Sequence, residues 1–235
     1  MSILNYFKAV SISVKMQKLY KRINEKVAIM DAQNGENEIE KISVKEFTKW
    51  YSSKLQTYEE LINEAENNIG LKCVCKKGCS ACCMQAIYIN PAEYAIIKKY
   101  VEQLGYTEKE NLKKNVREAL EKIKNIDIPM KVVDGSQEEQ DRVNQLFYDC
   151  KIRCPFLSHD DQCDIYEIRP CVCWTYRNYK NKSECQKCFN PEHSCAFVSL
   201  DTVMTKDMYN HGSNIIKHQE YYLLIYAIAK ILFIC

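Results

Sequence analysis

Between Cys73 and Cys83 the chain reads CVCKKGCSACC, and Cys75, Cys79, Cys82 and Cys83 form a C-x3-C-x2-CC run. A buried free cysteine packs as a small hydrophobe, so this density points to sulfur chemistry rather than to packing. On a helix the four positions fall within about 100° of one another, along one stripe. Gly78 favours instead a loop that turns Cys75 back toward the others. Either geometry makes the thiols converge, and converging thiols bind metals.

A second region supplies Cys154, Cys163, Cys171, Cys173, Cys185, Cys188 and Cys195, with His193 ahead of the last. A structural zinc takes four ligands and so does a [4Fe–4S] cluster, so the two regions could fill two four-cysteine sites with thiols to spare. Cys185-x2-Cys188 with His193 and Cys195 fits a zinc site of three thiolates and an imidazole, or an all-thiolate site. His193 also reads as a plain surface histidine in a loop beside Pro191-Glu192. Cys82 and Cys83 cannot both face one centre in extended backbone; they share one in a helical turn or serve two. Such dense, short spacings are commoner in iron–sulfur proteins, although this is no ferredoxin pattern. Lys72, Lys76, Lys77, Arg153 and Arg169 either favour thiolates or are simply solvated. Cys73, Cys150 and Cys235 read as ordinary thiols.

No familiar catalytic set accompanies the cysteines. His159, His193, His211 and His218 are scattered, and His218 reads as an exposed helix position. Asp160-Asp161 reads as a solvated hairpin tip.

Bulk properties narrow the classes. Lys+Arg at 33 against Asp+Glu at 31 leaves a formal charge of +2, with no basic excess suggesting nucleic acid. The N-terminus lacks the organisation of a signal peptide, and 14 cysteines in a chain able to bury its own core favour metal binding in a reducing, cytoplasmic setting over a disulfide scaffold. Six Gly and five Pro suit a mainly α fold.

The elements that must position the thiols are legible in outline. Ile3, Phe7, Val10, Val14, Leu19, Ile23 and Val27 recur at helical spacing, and Asn34-Gly35 reads as a turn. Ser43 with Glu46 opens a long amphipathic helix whose aromatic stripe packs on the core and which Gly70 ends. Residues 86–89 look extended, and Asn90-Pro91 with Glu93 starts a helix running to Gly105. Thr107 with Glu110 caps the next helix, Asp134-Gly135 breaks the pattern, and Ser136 with Glu139 opens a short helix. Cys154–Leu157 and Cys163–Tyr166 read as the strands of a short β-hairpin that sets two thiols side by side. Tyr221–Cys235 is shorter than the roughly 20 residues a membrane span needs and reads as a buried helix, with a terminal membrane anchor as the lesser reading. The expected organisation is an N-terminal helical region over 1–70, a cysteine-cluster region over 71–198, and a C-terminal helix in 199–235 on the same domain. The knuckle is irregular and packed between helices.

These residues carry a resemblance. Cys75, Cys79, Cys82 and Cys83, then Cys154-Pro155-Phe156-Leu157, then Cys163, Ile165, Tyr166, Arg169, Pro170 and Cys173 resemble the CxxCxxCC family, also called YkgJ-type cysteine cluster proteins. The likeness covers about residues 72–195 and implies a zinc- or iron-chelating domain. Two positions depart from the pattern: the first spacing is C-x3-C where C-x2-C is common, and Trp174 stands where arginine is common. A relative, the flagellin lysine N-methylase, has a similar run, so the resemblance also allows an S-adenosylmethionine-dependent protein lysine methylase. No glycine-rich nucleotide loop is present for it. The leading expectation is one or two [4Fe–4S] clusters serving electron transfer or protein modification. The alternative is a Zn²⁺-bound interaction module. Expected partners are a redox protein or a protein or peptide substrate, with neither nucleic acid nor membrane.

Overall fold

The computed structural model describes residues 3–33, 41–132 and 135–234. The expected turn at Asn34-Gly35, the side chains of Ile3 and Phe7, Asp134 and Cys235 lie outside the described residues. The fold is mainly helical. Two long helices come first, α1 (Ile3–Gln33) and α2 (Val44–Ile69). Strand β1 (Tyr88–Ile89) leads into α3 (Pro91–Gln103), α4 (Tyr106–Ile123) and α5 (Gln137–Asp149). The second cysteine region holds α6 (Cys171–Thr175), β2 (Tyr176–Asn178), α7 (Lys182–Cys185) and β3 (Ser194–Ala196). The chain closes with α8 (Val198–Gly212), β4 (Tyr222–Leu223) and α9 (Leu224–Ile231). Strands β1 and β4 pair antiparallel, as do β2 and β3.

Local chemistry sets most of these boundaries. Ser43 and Glu46 form a reciprocal capping box on α2, and Gly70 closes that helix at φ 64°. Asn90 and Glu93 do the same for α3, with Pro91 in its first turn. Ser136 caps α5 by accepting from the Glu139 amide. The start of α4 falls two residues earlier than Thr107-Glu110 suggests. Gly105 is its N-cap, because the Glu108 carboxylate accepts from the Gly105 amide at 2.7 Å. Accordingly α3 ends at Gln103, with Leu104 already extended.

Two cores result. One gathers Val116 and Ile123 of α4, Phe147 of α5 and Ile228 of α9. The other gathers Leu19 and Ile23 of α1, Phe47 and Tyr58 of α2 and Met204 of α8, and so joins the two ends of the chain. Helix α3 serves both: Ile97 and Val101 face the first core, Ala92 and Ile96 the second. The aromatic stripe of α2 is therefore core, with Phe47, Tyr51 and Tyr58 fully buried.

Helix α1 departs from expectation at Val10 and Val14, which are exposed. Lys15 donates to the Gly70 carbonyl at 2.8 Å, so α2 ends level with Lys15 and does not reach Val10 and Val14. Helix α9 is buried through Leu224, Ile225, Ala227 and Ile228. Among the described residues no helix is long and apolar enough to cross a membrane. His218 is neither helical nor free on the surface: its ring packs against Tyr94 and Tyr222.

Candidate metal centre

The cysteine run lies at the seam between the cores. It is a chain of turns rather than a helix: Cys79 N donates to Lys76 O, Cys83 N to Ser80 O and Gln85 N to Cys82 O. Gly78, at φ 85°, makes the first turn possible, as a left-handed residue must be cheap there. Three hydrogen bonds sew the run to the second region. Cys154 N donates to Cys83 O at 2.8 Å, Val74 N to Asn178 O at 2.9 Å, and Asn178 N to the Cys75 sulfur at 3.3 Å.

The expected hairpin is present only in reduced form. Leu157 and Cys163 make one antiparallel bridge, flanked by Ser158 N to Gln162 O and Asp164 N to Phe156 O, both 2.9 Å. Pro155 has no amide to extend the ladder, and Tyr166–Ile168 turns into a 3-10 helix. Asp161 sits at φ 58° in the tip, paired with Arg153 at 3.2 Å.

Helices α2 and α3 fix the following segment. Tyr51 donates to Arg169 O at 2.9 Å, and Cys171 N donates to the Glu93 carboxylate at 2.8 Å. That holds the Arg169–Pro170 bend and starts α6. On so short a helix, residues two apart point to opposite sides. Cys171 faces the second core beside Glu93 and Asp201, while Cys173 faces the run.

The outcome is one cavity of about 120 Å³. Cys75, Cys79, Cys82, Cys83, Cys154, Cys163 and Cys173 all line it, with Arg169, Trp174 and Tyr176 among the other walls. Sulfurs from two distant stretches of sequence therefore meet. Cys82, Cys154, Cys163 and Cys173 are near enough that each thiolate penalises the next. Burial, then Cys154, Cys82 and Cys163, holds the Cys173 thiol well above its ordinary pKa. Burial, then Cys163, pushes Cys154 up to about 12. Cys82 is raised first by its hydrogen bond with Cys83 and then by burial. Opposing this, Arg169 favours the thiolates of Cys82, Cys163 and Cys173, and the amides of Phe156 and Ile165 donate to the sulfurs of Cys154 and Cys163.

The donor set fits a metal. A cluster of buried, mutually repelling thiols with amides and a guanidinium aimed at it is unfavourable when ionised alone. A central cation would remove both penalties. Among the described residues, no three Cys, His, Asp or Glu side chains stand close enough as they are to hold a single ion. The thiols ring a space rather than a point.

Of the remaining candidates Cys185 stays beside the run, and the others lie away from it. Cys185 is buried and faces Cys79 and Cys82, with Ser194 beside it. Side chains alternate along β3, so Ser194 points to that side and Cys195 to the other, where it lines a groove with Met16 and Tyr20 of α1. Cys188 is exposed, with its thiol 3.9 Å from Glu184 O. His193 is not a surface loop residue. It is fully buried, its Nδ1 3.0 Å from Glu184 and its Nε2 without a partner among the described residues, and its carbonyl accepts from Tyr179 N. The structure does not bring Cys185, Cys188, His193 and Cys195 to one point.

Cys73, read as an ordinary thiol, is part of the centre's surroundings. Its sulfur accepts from Cys75 N at 3.4 Å, and its thiol is drawn down to about 7, first by its hydrogen bond with Cys75. The Cys73-x-Cys75 spacing was the available signal. Asn178 and Tyr176 carried no signal in the sequence.

The CxxCxxCC family, described as a "putative zinc- or iron-chelating domain", matches residues 74–196. No curated protein and no solved structure matches the chain. With all seven cavity cysteines inside a match that spans more than half of the sequence, this chain belongs to the CxxCxxCC family and is a metal-binding protein.

Proposed function

We propose that four of the cavity thiolates hold one [4Fe–4S] cluster, and that the protein carries electrons in a reducing, cytoplasmic compartment where free thiols persist. The observation that carries this reading is the arrangement of the sulfurs around a void. A mononuclear zinc, with Zn–S near 2.3 Å, draws four sulfurs to within roughly 3.8 Å of one another. Here seven thiols surround 120 Å³, and no three donors among the described residues are poised for one ion. That volume is roughly eight times what admits one water. Cys82, Cys154, Cys163 and Cys173 are the natural quartet for one cluster, with Cys75, Cys79 and Cys83 on the same walls. When bound, such a cluster gains and loses single electrons. Arg169 offsets part of the thiolate charge, and Trp174, Leu157 and Leu224 limit water at the walls.

Protein purified without oxygen should be brown, with broad visible absorption and acid-labile sulfide. Colourless protein lacking sulfide and holding stoichiometric zinc would overturn the reading. A structural zinc module is the second possibility. It is favoured by the knuckle itself, where the Leu157–Cys163 bridge sets Cys154 and Cys163 at the neck of a tight turn.

A further inference from the structure

Beside the cysteine cavity a groove of about 420 Å³ opens between α2, α3 and the stretch 163–168. Lys45 and Lys49 line it from α2, Lys99 from α3 and Lys77 from the cysteine loop, against the carboxylates of Asp164 and Glu167. Four ammonium groups less two carboxylates leave +2 in this one groove, as much as the formal excess of the whole chain. Lys77 pairs with Glu167 at 3.4 Å. Among the described residues Lys45, Lys49 and Lys99 have no ion-pair partner. Lys45 and Lys49 are also four apart on one helix, a like-charge spacing that costs helix stability.

The groove touches the centre. Cys163, Ile165 and Tyr166 line both the groove and the cysteine cavity. Tyr166 carries Arg169 at 4.1 Å and Lys77 at 5.0 Å from its ring, which continues the positive face to the cavity mouth. A molecule seated in the groove therefore lies against the outer side of a candidate ligand.

We propose that this groove docks the carboxylate-rich face of an electron-transfer protein and seats it over Cys163. The inference rests on the iron–sulfur reading above. One electron passes: the partner's cofactor is oxidised and the cluster reduced, with no bond or proton changing place. Opposite charge brings the two faces together quickly and in register, and salt weakens the encounter.

The test uses the full chain and a flavodoxin chosen for its acidic surface. Binding of the oxidised carrier is followed by NMR titration of labelled protein, which needs no electron flow. Reduction by the reduced carrier is followed by stopped flow without oxygen. Expected are shifts at Lys45, Lys49, Lys99 and Tyr166, affinity that falls with salt, and a loss of roughly tenfold or more in affinity and rate in the triple variant Lys45→Glu, Lys49→Glu, Lys99→Glu. A control of equal charge, Lys18→Glu, Lys187→Glu, Lys217→Glu, should lose far less, and reduction by dithionite should be unchanged in both. Absence of binding, shifts confined to other surfaces, or equal losses in the two triples overturns the docking face. Iron and sulfide missing from the wild-type protein overturns the iron–sulfur reading instead, and is measured separately.

Discussion

The amide of Cys154 donates to the carbonyl of Cys83 at 2.8 Å. This contact joins the last cysteine of the first run to the first cysteine of the second region. It makes the two stretches neighbours by backbone, independently of any metal, so the cavity has a scaffold that outlasts its contents. Losing the metal should loosen the centre without dissolving both cores.

Ligands should separate from bystanders by position. Cys154→Ser, Cys163→Ser and Cys173→Ser should each lose most of the bound metal, since their sulfurs line the cavity. Cys188→Ser and Cys195→Ser should keep it, since one thiol is exposed and the other faces α1. Metal per chain, measured on protein purified without oxygen, distinguishes the two groups. Equal loss across all five would contradict this geometry.

Trp174 should report occupancy of the cavity. It lines the wall, whereas Trp50 stacks on Phe47 and His211 away from it. Extracting the metal should change tryptophan emission in the Trp50→Phe protein and leave it nearly constant in Trp174→Phe. Fluorescence during chelation reads both.

Glu93 should give the fold a pH dependence. Burial, reinforced by Asp201, pushes its carboxyl up to about 7 from 4.5, against the hydrogen bonds from Cys171, Asn90 and Tyr51. An acid whose folded pKa lies above its unfolded one binds more protons when folded, so stability falls as pH rises from about 4.5 to about 7 and then levels. Glu93→Gln lacks this term. Its stability relative to wild type should climb across that window, by on the order of 3 kcal/mol at most. Parallel urea-unfolding curves from pH 5 to 8 would show that the carboxyl does not titrate there.

Gly212 marks a tight approach of α8 to α2. A Cβ there would lie 2.7 Å from Phe47 Cε2, on a ring that is fully buried. Gly212→Ala should destabilise by about 1–3 kcal/mol through overpacking, read by thermal or denaturant unfolding. Phe47→Leu in the same chain should recover part of that loss.

Asn90 caps α3 from a buried position, accepting from Ala92 and Glu93 amides at 3.0 and 2.9 Å. Asn90→Ala should cost about 1–2 kcal/mol and lower metal retention together with stability, because α3 carries Glu93 beneath the Arg169–Cys171 bend. Unchanged unfolding would show that the cap is dispensable.

The sequence alone determined whatever depends on neighbours along the chain. The capping boxes at Ser43 and Asn90, the left-handed stop at Gly70 and the loop at Gly78 follow from one or two residues each, because their hydrogen bonds close within a turn. The density of Cys75, Cys79, Cys82 and Cys83 was likewise a local signal of sulfur chemistry. Only the tertiary structure decided which thiols share a space. Cys171 and Cys173 are equivalent in spacing, yet α6 lies between two cores and sends them to opposite ones. Ser194 and Cys195 are divided the same way by β3. His193 resembled loop surface, yet it is fully buried. The capping pattern revealed Glu93, but not that its carboxylate would be buried against Cys171. These outcomes depend on which surface each element finds opposite it. That is a matter of packing between distant segments, and spacing along a chain does not encode it.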